Sequence, residues 1–153
     1  MKPNATKRPA VPASSMQAAP AGYSGTPLPK KLGLKPRMRL FAVNPLAHLP
    51  ELLSGAPADI IRLPRIAAFD CALLFAARAR ELAAAVGKLE AKLAQDGMIW
   101  AAWPKKTSGV ETDLVEDIVR QIGLRIGLVD VKVCAIDATW SGLKFVRRLK
   151  DRR

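Results

Sequence analysis

An unbroken apolar run, Met98-Ile99-Trp100-Ala101-Ala102-Trp103, is entered through Gln95-Asp96-Gly97 and left through Pro104. So short a run between turn signals reads as a strand buried on both faces. Helical patterns flank it, so it becomes the central strand of a small parallel sheet. The basic, hydroxyl-rich loop Lys105-Lys106-Thr107-Ser108-Gly109 follows at once. In open α/β sheets the loop after such a strand is where ligands bind.

The same reading places the other elements. Residues 38–43 form a first strand, which Asn44-Pro45 ends because proline cannot continue a central ladder. A short helix follows at 50–54, with Pro50 in its first turn and Gly55 at its C-terminal cap. Residues 58–63 and 70–75 read as two further strands. Few residues join them, whereas a parallel crossover takes about a dozen or more. Leu82, Val86, Leu89 and Leu93 recur at helical spacing and predict an alanine-rich helix over 79–94. Gly97 then permits the turn into the central strand. Asp113 followed by Glu116 predicts a capping box opening a helix that Gly123 or Gly127 closes. That assigns the two carboxylates to capping rather than to acid–base chemistry. Over 129–137, Val129, Val131, Val133 and Ala135 alternate with Asp130 and Lys132, as in a half-buried strand. Residues 138–142 turn the chain, and 143–147 return as a final antiparallel strand. The fold class is therefore α/β: a small Rossmann-like three-layer sandwich, mostly parallel, ending in an antiparallel hairpin. The domain spans 30–149.

Composition adds the ends. Residues 1–29 are rich in Pro, Ala, Ser and Gly without apolar periodicity, so they read as a disordered tail. The net charge is +12. Residues 1–37 carry seven cations and no acid, residues 144–153 carry six cations against Asp151, and residues 38–143 are neutral. The basicity belongs to the two ends, including the C-terminal residues 150–153, and nonspecific nucleic-acid contact through them is one partner expectation. No apolar run approaches the roughly 20 residues that span a bilayer. No apolar stretch follows the early positive charge, so no secretory signal and no membrane partner is expected, and the location expected is cytoplasmic. Cys71 and Cys134 lie in predicted strands and read as buried thiols. With His48 as the single histidine they make no metal set.

Four motifs in order are Trp103-Pro104-Lys105-Lys106, Thr112-Asp113-Leu114, the run from Gly127 through Val129, Asp130, Lys132 and Cys134 to Ala135, and Thr139-Trp140-Ser141-Gly142-Leu143-Lys144. Through them the chain, over about 31–150, resembles a family of short bacterial proteins classed as a domain of unknown function. That family brings no established activity. The helix–strand alternation ending in a hairpin is also similar to the later half of a class I methyltransferase. Those enzymes approach S-adenosylmethionine over a glycine-rich turn after the first strand. Here Asn44-Pro45-Leu46-Ala47 stands there without glycine, so the usual approach to that cofactor is not expected.

Parallel strands would bring Asn44, Lys105, Lys106, Thr107, Ser108 and Asp137 to one sheet edge, with Trp103 and Trp140 nearby. Lysines, hydroxyls and a following helix start suit a phosphate or carboxylate. The alternative is a solvated loop over core tryptophans. The phosphate-loop, dinucleotide and nucleophile-elbow glycine patterns are absent from the sequence, and His48 shows no partner for a Ser-His-Asp set. No catalytic residue, metal or cofactor is assigned. The reading favoured is a non-catalytic binding or regulatory protein with a weak anion site, for an anionic small molecule or a protein partner. The alternatives are a degenerate nucleotide- or S-adenosylmethionine-binding enzyme relative and a nucleic-acid-associated protein.

Overall fold

The structure, a computed structural model, describes residues 25–153. The expectation for residues 1–24 lies outside the described residues. Helix α1 (Leu28–Leu32) buries Pro29 and Leu32 and is closed by Gly33 in the left-handed conformation. Strand β1 (Arg39–Val43) and helix α2 (Leu49–Leu52) follow. Strand β2 is only Ile61–Arg62, and β3 is Phe69–Phe75. Helix α3 (Ala79–Glu90), strand β4 (Leu93–Pro104) and helix α4 (Glu116–Arg125) come next, then strands β5 (Leu128–Ala135) and β6 (Trp140–Arg147).

The six strands form one sheet in the order β2-β1-β3-β4-β6-β5. The pairs β1–β2, β1–β3 and β3–β4 are parallel, whereas β6 runs antiparallel between β4 and β5. The short link from β2 to β3 is physically simple. Arg62 of β2 lies level with Leu40, and Cys71 of β3 lies level with the same residue. The chain has almost no strand length to retrace, so no long crossover is required.

Both faces of the sheet are covered. Leu82, Val86 and Leu89 of α3 and Val119 of α4 pack on Leu74, Ile99, Trp103 and Phe145. On the other face Leu32, Leu49 and Leu53 pack on Leu73, Phe75 and Trp100. Each fully buried leucine or phenylalanine contributes roughly 1.5–3 kcal/mol. The buried Trp100 indole donates to Leu32 O at 3.0 Å, so its polar atom is satisfied. Strand β4 is the buried centre that the apolar run implies, with every residue from Gly97 to Pro104 buried.

Four local readings need correction. Helix α3 stops at Glu90, and Leu93, though buried, begins β4. The backbone at Lys92 instead accepts a bond from Phe69 N–H at the start of β3. Gly97 is no turn either: it sits within β4, where a side chain would meet Asp70 O at 2.9 Å. The capping box does not form. Helix α4 starts at Glu116 after Val115, with no side-chain cap. Asp113 turns to the other helix and accepts from Ala79 N at 2.7 Å, in the first turn of α3. Finally, a register shift between Asp130 and Lys132 breaks the alternation in β5. Val131 and Val133 are left 51% and 43% exposed on this edge strand, and Leu128 is the residue that joins the core.

Candidate functional site

Strands β1, β3, β4 and β5 all end at one edge of the sheet, and β6 starts there, because Trp140 pairs with Pro104. The hairpin turn at this edge is organised by Asp137. Its Oδ1 accepts from Thr139 N at 2.8 Å and from Trp140 N at 2.7 Å, the local turn that a short acidic side chain favours. Its Oδ2 lies 2.8 Å from His48 Nε2, so the loop after β1 is tied to the hairpin. Lys105 ties the loop after β4 to the same turn. Its N–H donates to Thr139 O at 2.8 Å, and its Nζ donates to Asp137 O at 3.1 Å. Asn44, at φ 51°, donates from Nδ2 to Phe75 O at 3.3 Å and joins the ends of β1 and β3. Lys31 of α1 reaches Ala135 O at 3.0 Å, on the end of β5.

The structure thus brings Asn44, Lys105, Asp137 and Trp140 to one edge. Trp140 is half-buried, with its ring edge-on to Phe75 at 5.6 Å. Trp103 points elsewhere: it is 6% exposed and buried beneath α3 and α4, which makes it core. Lys106, Thr107 and Ser108 form a single 3-10 turn. Ser108 Oγ donates to Lys105 O at 2.6 Å and accepts from Val110 N at 3.2 Å, so its hydroxyl is used in closing the loop. Lys106 and Thr107 are exposed.

Glu111 pairs with Arg78, while Glu116, Asp117 and Asp130 all pair with Arg120. Those bonds hold the Asp130 carboxyl below its ordinary value and the Arg120 guanidinium above its own. Lys31 and Lys105 reach this edge, where Asp137 is fixed by its own turn.

His48 is a correction to the sequence reading, which gave it no partner. The pairing joins residues 89 apart in the chain, which no local pattern announces. The readable half was Asp137 before Ala138-Thr139, a turn-forming sequence. Among the described residues no group of three or more His, Cys, Asp or Glu side chains is placed to hold a metal. Cys71 is wholly buried, and burial pushes its thiol up to about 12. Burial also raises the half-buried Cys134. Among the described residues no helix is long and apolar enough to cross a membrane.

No family model matches the chain, and no curated protein matches it significantly. Solved structures do. Magnesium protoporphyrin IX methyltransferase from Synechocystis, with bound SAM, matches at TM-score 0.52 and 12% identity, over 79% of this chain and 74% of its own. The ribosomal protein L11 methylase of Lactobacillus delbrueckii matches at 0.50 and 14%, over 78% and 74%. Aeropyrum pernix fibrillarin, with natively bound S-adenosyl-L-methionine, matches at 0.50 and 13%, over 82% and 70%. At such identities the likeness is one of fold: the chain has the Rossmann-like architecture of class I methyltransferases.

Proposed function

We propose that this chain is a non-catalytic binding protein built on a methyltransferase-type fold. Its carboxyl sheet edge takes the anionic group of a small molecule or of a protein partner, and does so weakly. The observation that carries this reading is the set of bonds crossing that edge. Asn44 to Phe75 O, His48 to Asp137 and Lys105 to Asp137 O join three loops where a methyltransferase would admit its cofactor. Asn44-Pro45 stands in place of a glycine turn, so a ligand cannot come close to that backbone. The side chains left facing solvent are cationic or polar, chiefly Lys106, Thr107 and His48.

The test is the double variant Lys105→Ala, Lys106→Ala in thermal melts. Phosphate should raise the wild-type melting temperature beyond an equal ionic strength of chloride, and the variant should lose that response. Sulfate stabilises proteins generally by exclusion, so the difference between the two proteins is what counts. A difference of zero leaves the loop a solvated turn and removes the site.

A second reading is supported by the S-adenosylmethionine-bound structures among the matches. Under it the chain is a degenerate relative that keeps the cofactor by contacts other than a glycine turn. Binding of S-adenosylmethionine separates the two.

A further inference from the structure

The opposite edge of the sheet gathers a different kind of surface. The run after β6 is docked there. Residues Leu149–Asp151 form a 3-10 turn, Arg152 donates from Nε and Nη2 to Arg147 O at 3.2 and 3.1 Å, and Arg153 N donates to Gln95 Oε1 at 3.3 Å. Arg147 anchors the run. It is paired with Glu90 at 2.8 Å, and its buried Nε has no hydrogen-bond partner among the described residues. Both major helices end at this edge, so their carbonyl ends alone would repel an anion. Lys88 and Arg125 stand in those last turns and offset that field. Lys92, Arg125, Lys150 and Arg153 are all exposed, and none of them is in an ion pair among the described residues. Lys150 and Arg153 line a recess of about 440 Å³ together with Arg147, Arg152, Glu90 and Asp151, of which Glu90 is paired with Arg147.

We infer that this amino edge of the sheet is a contact surface for the phosphate backbone of nucleic acid, without sequence readout. Exposed cations beside a polar recess suit repeated phosphates, and guanidinium forks match their oxygens two at a time. A lipid surface is the weaker fit. Membrane-surface binding uses the apolar face of an amphipathic helix, and this run offers only a 3-10 turn with Leu149 exposed.

The experiment uses the full chain and a labelled DNA duplex of roughly 20 base pairs, about two helical turns, titrated at about 50 and 200 mM salt. The wild type should bind with strong salt dependence. The variant Lys92→Gln, Arg125→Gln, Lys150→Gln, Arg153→Gln should bind at least about tenfold more weakly, with the slope of log affinity on log salt smaller by about 0.9 for each lost phosphate contact. The double variant Lys150→Gln, Arg153→Gln should fall between, with a melting temperature matching the wild type. Two controls should bind as the wild type does: Arg80→Gln with Lys132→Gln, and Lys2→Gln with Lys7→Gln and Arg8→Gln. Any of four results overturns the inference: no wild-type binding at the lower salt; unchanged binding by the quadruple variant; an equal loss in either control; or tighter binding to phosphatidylserine vesicles than to the duplex.

Discussion

Asp137 and Asp70 do similar work at opposite edges of the sheet, each tying its strand end to a residue far off in the chain. Asp137 holds its own turn, which its neighbours imply, and also His48, which nothing implies. Asp70 accepts from Arg39 N at 2.8 Å, Nε at 3.0 Å and Nη2 at 3.0 Å, across the β1–β3 pair. The guanidinium beside it holds its carboxyl below the ordinary 3.8. A carboxyl depressed on folding contributes stability above its unfolded value and loses it as pH falls through its folded one. Asp70→Asn should therefore cost about 1 kcal/mol near neutral pH, modest because Arg39 is 39% exposed and water screens the pair. In urea titrations that gap should close as pH falls below the ordinary carboxyl value of 3.8 and through the lowered folded one. A gap that stays constant with pH would mean the pair acts through packing alone. The cysteines give a second residue-scale outcome. Native protein at mildly alkaline pH should alkylate slowly at Cys134 and not at Cys71, whose burial keeps it a thiol, until the chain unfolds. Rapid native labelling of Cys71 would contradict the packing around β3.

Among the elements, those legible in the sequence were fixed by long apolar patterns. The stripe of α3 and the buried run of β4 each decide an element by themselves. What misled were signals that two neighbours could claim. Leu93 continues a helical period yet opens a strand, because apolar contact with the same core is available from either. Asp113 has the spacing of a cap for α4 but bonds to α3, because the intervening segment passes close to Ala79. Gly123 shows a third kind of ambiguity, between closing a helix and packing inside one. It lies within α4, and a Cβ there would clash with the ring of Phe145. Gly87, within α3, has nothing within 4 Å of that position. Gly87→Ala should then stabilise by about 0.5–1 kcal/mol, the ordinary helix effect. Gly123→Ala should reverse sign and destabilise by about 1–3 kcal/mol through overpacking. Denaturant melts of both variants check this, and equal stabilisation by both would show that α4 does not lie against β6 as described.

At the scale of the whole molecule, the sheet and its two covered faces could be foreseen, but the position of β6 between β4 and β5 could not. A hairpin can join a sheet by either of its strands, and local pattern does not choose. Burial does: Leu143 and Phe145 of β6 are fully buried, whereas β5 exposes two valines and takes the edge. The shared carboxyl edge follows from parallel strands, so Asn44, Lys105 and Asp137 could be placed together from sequence. The bonds that tie them into one closed turn could not. That closure is the centre of the functional account, and isothermal calorimetry with S-adenosylmethionine tests it most directly. No binding heat is expected up to millimolar ligand, an affinity weaker than about 4 kcal/mol of binding free energy. A micromolar dissociation constant would contradict it and make the chain a cofactor-binding relative of the methyltransferases whose fold it shares.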